Sequence, residues 1–427
     1  MYTVSSAINA ISAGKFDKTF SYVYGENAVE FQRSRYIEAV NEFDKLFANR
    51  ENIVFYSAPG RTEVGGNHTD HQHGCVLAAS VNLDVIAVVS PNNDNVIRIK
   101  SKGFPMDTID LNELEPDSKE YNQASALIRG VASRFKQLGY NICGFDAYTT
   151  SSVLKGSGLS SSAAFEVLVG TILSLQFNDG KVDAVEIAQI AQYAENVFFG
   201  KPCGLMDQMA SSVGSFVAID FNDPKKPIID KVNFDFASSN HALCIVDTGG
   251  NHADLTDEYG SVPKDMTAVA KLLGKDVLRE VDKADLLKNL SVIREKLGDR
   301  ATLRAMHFMN ENGRAQEEAK ALTNGDFETF KKIVLESGFS SFMYNQNVFT
   351  CLNPTEQGVS LALALSEELL KGKGAWRVHG GGFAGTIQAF VPLDMLNTYK
   401  EKMEQVFGEG HCYVLNVRPV GGIKVTE

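Results

Sequence analysis

No stretch of this chain has the roughly 20 uninterrupted apolar residues that a membrane-spanning helix needs. The best candidate, Cys75–Ser90, is shorter and contains Asn82 and Asp84. It reads instead as two buried strands, and no membrane partner is expected. The first residues lack a basic segment followed by an apolar run, because Lys15, Asp17 and Lys18 intervene, so a secretory leader is not expected either. Cysteine is sparse: six residues, at 75, 143, 203, 244, 351 and 412, with no CxxC pair. In a chain this long, that usage excludes a disulfide scaffold and fits reduced thiols in a cytoplasmic protein. Positive charge is in deficit as well, 41 basic against 53 acidic residues, for a net charge of −12. Nucleic-acid or anionic-membrane binding driven by net charge is therefore not expected, although a local patch can still hold a polyanion. Proline numbers 11 against 36 glycines, which suggests tight loops rather than proline-rich linkers. No internal repeat or low-complexity tract is present.

What remains is ordinary globular composition, 44% hydrophobic and 22% charged, in 427 residues, enough for two or three domains. Residues 1–50 have helical patterning, with Phe20, Val29, Phe31, Ile37, Val40, Phe43 and Phe47 among charges. Ile53–Ala58 is a short β-type run ending at Pro59-Gly60. Val76–Val89, Val96–Lys102, Ile142–Thr150 and Phe216–Phe221 read as strands, and Ala124–Leu138, Ser161–Leu175 and Val185–Val197 as helices. After a strand at His241–Asp247, charged helices dominate 265–336. A helix at Glu356–Leu370, strands at Trp376–His379 and Thr386–Val391, a helix at Met395–Phe407 and a strand at Tyr413–Arg418 follow. Strands and helices mix without βαβ alternation, so the expected class is α+β. The change of character near Ser238–Asn240 predicts two domains, 1–238 (with a helical extension over about 1–50) and 239–427, meeting at a cleft.

Four segments carry the chemistry. Lys155–Ala164 (KGSGLSSSAA) lies between a predicted strand and a predicted helix. Its glycines allow close backbone approach, and its serines stand at a helix start, whose free N–H groups and roughly half a positive charge suit a phosphate. The plain alternative is a glycine turn with a serine cap. The Walker ending and the third glycine of the dinucleotide fingerprint are both missing, which disfavours a P-loop ATPase and a Rossmann oxidoreductase. Ala58–Gly74 (APGRTEVGGNHTDHQHG) crowds Arg61, Glu63, His68 and Asp70 into one polar loop. His68, His71 and His73 invite a metal reading, but on an irregular loop they need not converge, and no matching Cys/His set follows. Gly200–Gln208 (GKPCGLMDQ) places Asp207 where it could simply cap a helix. His379–Gly385 (HGGGFAG) marks backbone pressed against a strand or a ligand.

Taken in this order, the four segments resemble the GHMP small-molecule kinases and, within these, the galactokinases. The second segment is similar to the galactokinase signature GRxNxxGEHxDYxxGxVL, the first to the GLSSSA phosphate loop, the third to CGxMDQ and the fourth to GGGFGG. His307–Arg314, which alone reads as a surface helix, also resembles the galactokinase C-terminal half. The resemblance implies a two-domain fold: an N-terminal domain like the second domain of ribosomal protein S5, and a ferredoxin-like C-terminal domain. It implies transfer of phosphate from ATP, with Mg²⁺, to the anomeric hydroxyl of galactose. It further implies Asp207 as base or charge partner at that hydroxyl, with Arg61 beside it. Ser162 and Glu195 would hold Mg²⁺. The segment Gly156, Ser157, Gly158, Leu159, Ser160, Ser161 and Ser162 would cradle the ATP phosphates. Arg61, Asn67, His68, Asp70, Gly204, Asp207 and Tyr259 would line the sugar. A monomer or weak dimer is expected.

The departures fall in the sugar-contact segment. The signature's glutamate is Asn67 here, its asparagine is Glu63, and the tyrosine after HxD is His71. Beyond Tyr259, the family's basic segment is replaced by Gly260–Lys264. A neutral Asn67 in place of the glutamate would tolerate a C6 carboxylate, so galacturonate and N-acetylgalactosamine stand beside galactose as substrates. A sugar sensor without turnover is the non-enzymatic alternative.

Overall fold

The computed structural model describes residues 2–48, 50–153, 158–201, 203–250 and 255–427. Three helices open the chain, α1 (Val4–Ser12), α2 (Asp17–Tyr24) and α3 (Val29–Leu46). Next come β1 (Val54–Gly65), β2 (Cys75–Pro91), β3 (Val96–Ser101), β4 (Met106–Asp110), α4 (Ala124–Gln137), β5 (Phe145–Ser151) and α5 (Ser161–Phe177). The first half closes with α6 (Ala184–Tyr193), α7 (Met206–Val213), β6 (Phe216–Asp220) and β7 (Ile228–Val232). The second half comprises β8 (His241–Asp247), α8 (Thr256–Leu272), α9 (Lys283–Lys288), α10 (Leu290–Thr323), α11 (Phe327–Ser340), α12 (Gly358–Leu370), β9 (Ala375–His379), β10 (Thr386–Pro392), α13 (Leu396–Phe407), β11 (Cys412–Leu415) and β12 (Ile423–Val425). Among the described residues no helix is long and apolar enough to cross a membrane. The class is α+β, as the irregular alternation predicts.

An eight-stranded sheet runs β12-β1-β2-β5-β3-β4, with β6 on β2 and β7 on β6; a four-stranded antiparallel sheet runs β11-β8-β10-β9. The central strands of the large sheet are apolar almost without a break because both faces are covered. Val54, Tyr56, Ala58, Val85, Ala87 and Val89 join the core under α4–α6. Their alternate neighbours Phe55, Ile86 and Val88 pack instead against α1–α3. That period of two assigns the helical extension its task, which is to bury the second face of the sheet. Each such fully buried aromatic or branched side chain contributes roughly 1.5–3 kcal/mol. Phe31, one of the predicted apolar positions of α3, points to solvent, 63% exposed.

Two strand predictions stopped short. Cys75–Pro91 is a single strand rather than two, and β1 continues through Pro59-Gly60 to Gly65. Both strands are long because they pair with each other from Val54↔Val89 to Gly65↔Leu77, with register shifts between Pro59 and Arg61 and between Glu63 and Gly65 absorbing the turn residues. The expected boundary at 238–239 is where the chain changes sheets. β12 returns from the second half to pair with β1, and Leu243, Ile245, Phe390 and Leu415 join the core of the large sheet.

A buried charge cluster ties the extension and the returning tail to the sheet. Asp84, with no exposed surface, meets Arg35 Nη1 of α3 at 2.6 Å and Arg418 Nη1 of the tail at 3.2 Å, and accepts from Tyr24 Oη at 2.6 Å. Burial pushes the Asp84 carboxyl up, but the two guanidinium groups outweigh it and hold it below the ordinary value. Its stabilising contribution is therefore full above the ordinary carboxylate value near 4 and is lost as pH falls through the lowered one. Asp84→Asn strands two buried cations and is expected to cost about 3–5 kcal/mol in urea unfolding at neutral pH. The difference from the parent protein should narrow in acid; an equal difference at all pH values would contradict the assignment.

Candidate active site

Arg61 lies at the first register shift of β1, and Asp207 in the first turn of α7. The guanidinium grips the carboxylate with both arms: Nε to Oδ1 at 2.7 Å and Nη2 to Oδ2 at 2.7 Å. Such a fork fixes the orientation of both planes. Arg61 also donates to the Gly158 carbonyl, and its backbone N–H donates to the Leu159 carbonyl at 3.0 Å. Ser160 Oγ donates to Asp207 Oδ2. Burial raises the Asp207 carboxyl, but the charge and hydrogen bonds of Arg61 and the Ser160 hydroxyl bring it below its ordinary value. Asp207 is an ionised carboxylate held on one side and about a third exposed on the other.

Ser160 does not cap α5. It is in the left-handed region, φ +53°, and makes no side-chain capping bond, because its hydroxyl is committed to Asp207. The start of α5 thus brings uncapped N–H groups to the same place, the arrangement that holds anions. Leu159 is fully buried, so only its backbone can face a ligand. Gly156 and Ser157 lie outside the described residues. In the first turn of α5, Ser162 Oγ donates to Glu195 Oε1 at 3.5 Å. Glu195 also meets Lys201 Nζ at 3.2 Å and Gln208 Nε2 at 2.7 Å. A hydroxyl and a carboxylate, hard oxygen donors that already draw a cation in Lys201, suit Mg²⁺.

The second segment faces the glycine loop between β9 and β10. His68 Nε2 donates to the Gly381 carbonyl at 2.9 Å, and Tyr259 Oη of α8 to the Gly382 carbonyl at 3.0 Å. The glycine run is therefore a close backbone approach: a Cβ on Gly382, φ +80°, would stand 1.9 Å from the Asn347 carbonyl oxygen. Asp70 and Gly204 are neighbours, since a Cβ on Gly204 would lie 3.2 Å from Asp70 Oδ2. His68 and His71 stand with ring centroids 5.8 Å apart, and His68 spends Nε2 on the glycine loop. Asn67 departs from its expectation. It is completely buried, with its amide committed to Glu63, Gly380, Ser341 and Asn347, so no amide atom is left over for a sugar.

Several residues around the site escaped sequence reasoning. His379 lies beneath the phosphate segment, bonded to Thr62 Oγ1 at 3.0 Å and Thr386 Oγ1 at 2.9 Å. Burial, then the charges of Arg61 and Arg377, push its imidazole down to about 3, so it is neutral. Its position just before the glycine run was the available signal. His307–Arg314 is no surface helix. His307 and Glu311, four residues apart on one face of α10, are fully buried against the 65–68 loop. Burial raises the Glu311 carboxyl, but His307, Arg377 and Arg314 pull it down to about 2.

Residues 41–91 match the galactokinase galactose-binding signature, and residues 126–215 match the N-terminal domain of GHMP kinases. A galactokinase of Streptomyces coelicolor is 31% identical over 359 residues, spanning 82% of this chain and 88% of its own. The fold is similar to Lactococcus lactis galactokinase complexed with galactose (TM-score 0.74, 24% identity, 90% of this chain and 98% of that one). It is also similar to Methanococcus jannaschii mevalonate kinase (TM-score 0.61, 13% identity, 86% and 98%). Signature, kinase domain and full-length relative agree: this chain is a phosphotransferase of the GHMP kinase family and belongs among its galactokinases.

Proposed function

We propose that this kinase transfers the γ-phosphoryl group of ATP to the anomeric hydroxyl of galactose, giving galactose 1-phosphate and ADP. The observation that carries the reading is the fork of Arg61 on Asp207 at the uncapped start of α5. It brings a fixed carboxylate, a cation and helix N–H groups together in one place. Asp207 accepts the hydroxyl's hydrogen bond and takes its proton as the oxygen attacks phosphorus and the bond to ADP breaks. Arg61 keeps Asp207 ionised and screens charge on the transferring group. The amides of Gly158–Ser161 hold phosphate oxygens, and His68, Asp70, Gly204 and Tyr259 orient the sugar. Ser162 and Glu195 would hold Mg²⁺, which when bound neutralises phosphate charge. Phosphoryl transfer asks for positioning and charge stabilisation rather than covalent chemistry, and these groups supply both. The galactose complex of the Lactococcus relative supports the choice of sugar.

An ADP-release assay across galactose, galacturonate, N-acetylgalactosamine and arabinose tests the substrate. Galactose is expected to give the highest kcat/KM; a higher value with another sugar would reassign it, and no turnover with tight binding would make the protein a sensor. Asp207→Asn is expected to lower kcat by about 10³-fold or more while the Kd for ATP stays within about twofold, since only the group at the reacting hydroxyl is lost. Near-normal turnover would sink the base assignment. Removing the cation leaves burial to push Asp207 upward, so in Arg61→Ala the acid limb of residual kcat/KM should move to higher pH. An unmoved limb would mean that Arg61 does not set the ionisation of the base.

A further inference from the structure

Asn67 has every one of its hydrogen-bonding groups in use. Its N–H donates to Glu311 Oε1 at 3.3 Å, and its carbonyl accepts from His307 Nε2 at 2.9 Å. Its side-chain N–H₂ donates to Glu63 Oε1 at 2.9 Å and to the Gly380 carbonyl at 2.8 Å. Its amide oxygen accepts from Ser341 Oγ at 3.1 Å and Asn347 Nδ2 at 2.9 Å. Only Glu63 comes from the same part of the chain; the other partners all follow residue 300, on α10, beyond α11 and in the glycine loop. The oxygen of Glu63 that Asn67 uses also accepts from Arg377 Nη2 of β9, at 3.1 Å. Arg377, with no exposed surface, further donates to the Val64 carbonyl at 2.7 Å.

One carboxylate and one amide, four residues apart and bonded to each other, thus face one buried cation. The galactokinase signature carries the same two groups in the opposite order, asparagine at the place of Glu63 and glutamate at that of Asn67. One negative charge between the two positions matches Arg377; two would repel each other, and none would leave the cation unpaired. The next residue, His68, has a left-handed backbone, φ +57°, and its ring bonds the glycine loop. The backbone entering His68 is thereby fixed by Asn67, and Asp70 follows two residues later.

We infer that Glu63, Asn67 and Arg377 form a latch between the two halves of the molecule, which positions His68 and Asp70 for the sugar without touching it. The three are positioning residues, and the inference rests on the sugar-kinase reading. It makes Asn67 a joint rather than a specificity contact at C6, and it gives the exchanged order of Glu63 and Asn67 a physical meaning: the charge is retained and its place in the pair is moved.

Near-isosteric exchanges test it. Glu63→Gln removes the partner of Arg377, and Asn67→Asp sets a second carboxylate against Glu63. Each is expected to raise the KM for galactose by about tenfold or more while the KM for ATP stays within about twofold. The double variant restores one carboxylate and one amide, and should bring the galactose KM to within about fivefold of the parent. A merely structural role would move both KM values together, without rescue. Ser341→Ala deletes one hydrogen bond to Asn67 and should raise the galactose KM about threefold at an unchanged melting temperature. A double variant no better than Asn67→Asp, or parallel rises in both KM values, would overturn the latch. Isothermal titration with galactose follows binding without turnover. Binding without turnover in the parent would remove the kinase reading and leave the latch still testable through these affinities.

Discussion

Arginine held against buried carboxylate is the interaction on which this structure depends. Asp84 meets Arg35 and Arg418, Asp207 meets Arg61, and Glu63 meets Arg377. Each pair joins segments far apart in sequence: extension and tail to the large sheet, β1 to α7, β1 to β9. Taking two charges out of water costs about as much as their attraction returns, so such pairs add little net stability. Leaving one partner alone is far more expensive, and the pairs therefore specify which segments may meet. Two of these junctions, β1 to α7 and β1 to β9, lie at the candidate site.

The strand β1 shows how a core element becomes a site. Through Ala58 it alternates between two apolar cores; beyond Pro59 its register shifts, and polar side chains take over. Bulges re-aim side chains relative to the sheet, and here Arg61 engages α7 while Glu63 engages β9. Gly65 ends the strand where no side chain fits, since a Cβ there would stand 1.6 Å from Glu318 Oε2. One strand thus reaches the reacting corner, the latch and the helix α10 within five residues.

The sequence made the helices and most strands legible because their apolar periods are strong and both faces of the large sheet are covered. It hid what depends on pairing partners. The continuation of β1 through Pro59-Gly60 and the return of β12 to β1 are set by distant strands, not by local pattern. In the site, Arg61, Asp207, Ser160, Ser162 and Glu195 were readable because motif order outweighs any single residue, and the structure brings them together. His379, Arg377 and Glu311 were not, since a buried titratable side chain in a β-strand or on a helix face looks like any surface one until its partner is known. Asn67 was misread for the same reason: its chemistry suggests a ligand contact, and only its six bonds show that it is already spent.

A chain of net charge −12 that handles a triphosphate has to keep its carboxylates from repelling it. Burial does part of this. The Glu166 carboxyl, one turn beyond Ser162 on α5, is pushed far above its ordinary value by burial and by neighbouring Glu195, which favours its uncharged form. Pairing does the rest, because Asp207 faces Arg61 while Glu195 is shared between Lys201 and Gln208. Beside these acids stand the start of α5, an arginine and a largely exposed lysine, whose local field differs in sign from the chain's net charge. Net charge consequently says little about anion binding at a site whose acids are paired or pushed toward their neutral form one by one, and Asp207, held on one side by Arg61, keeps about a third of its side chain exposed on the other.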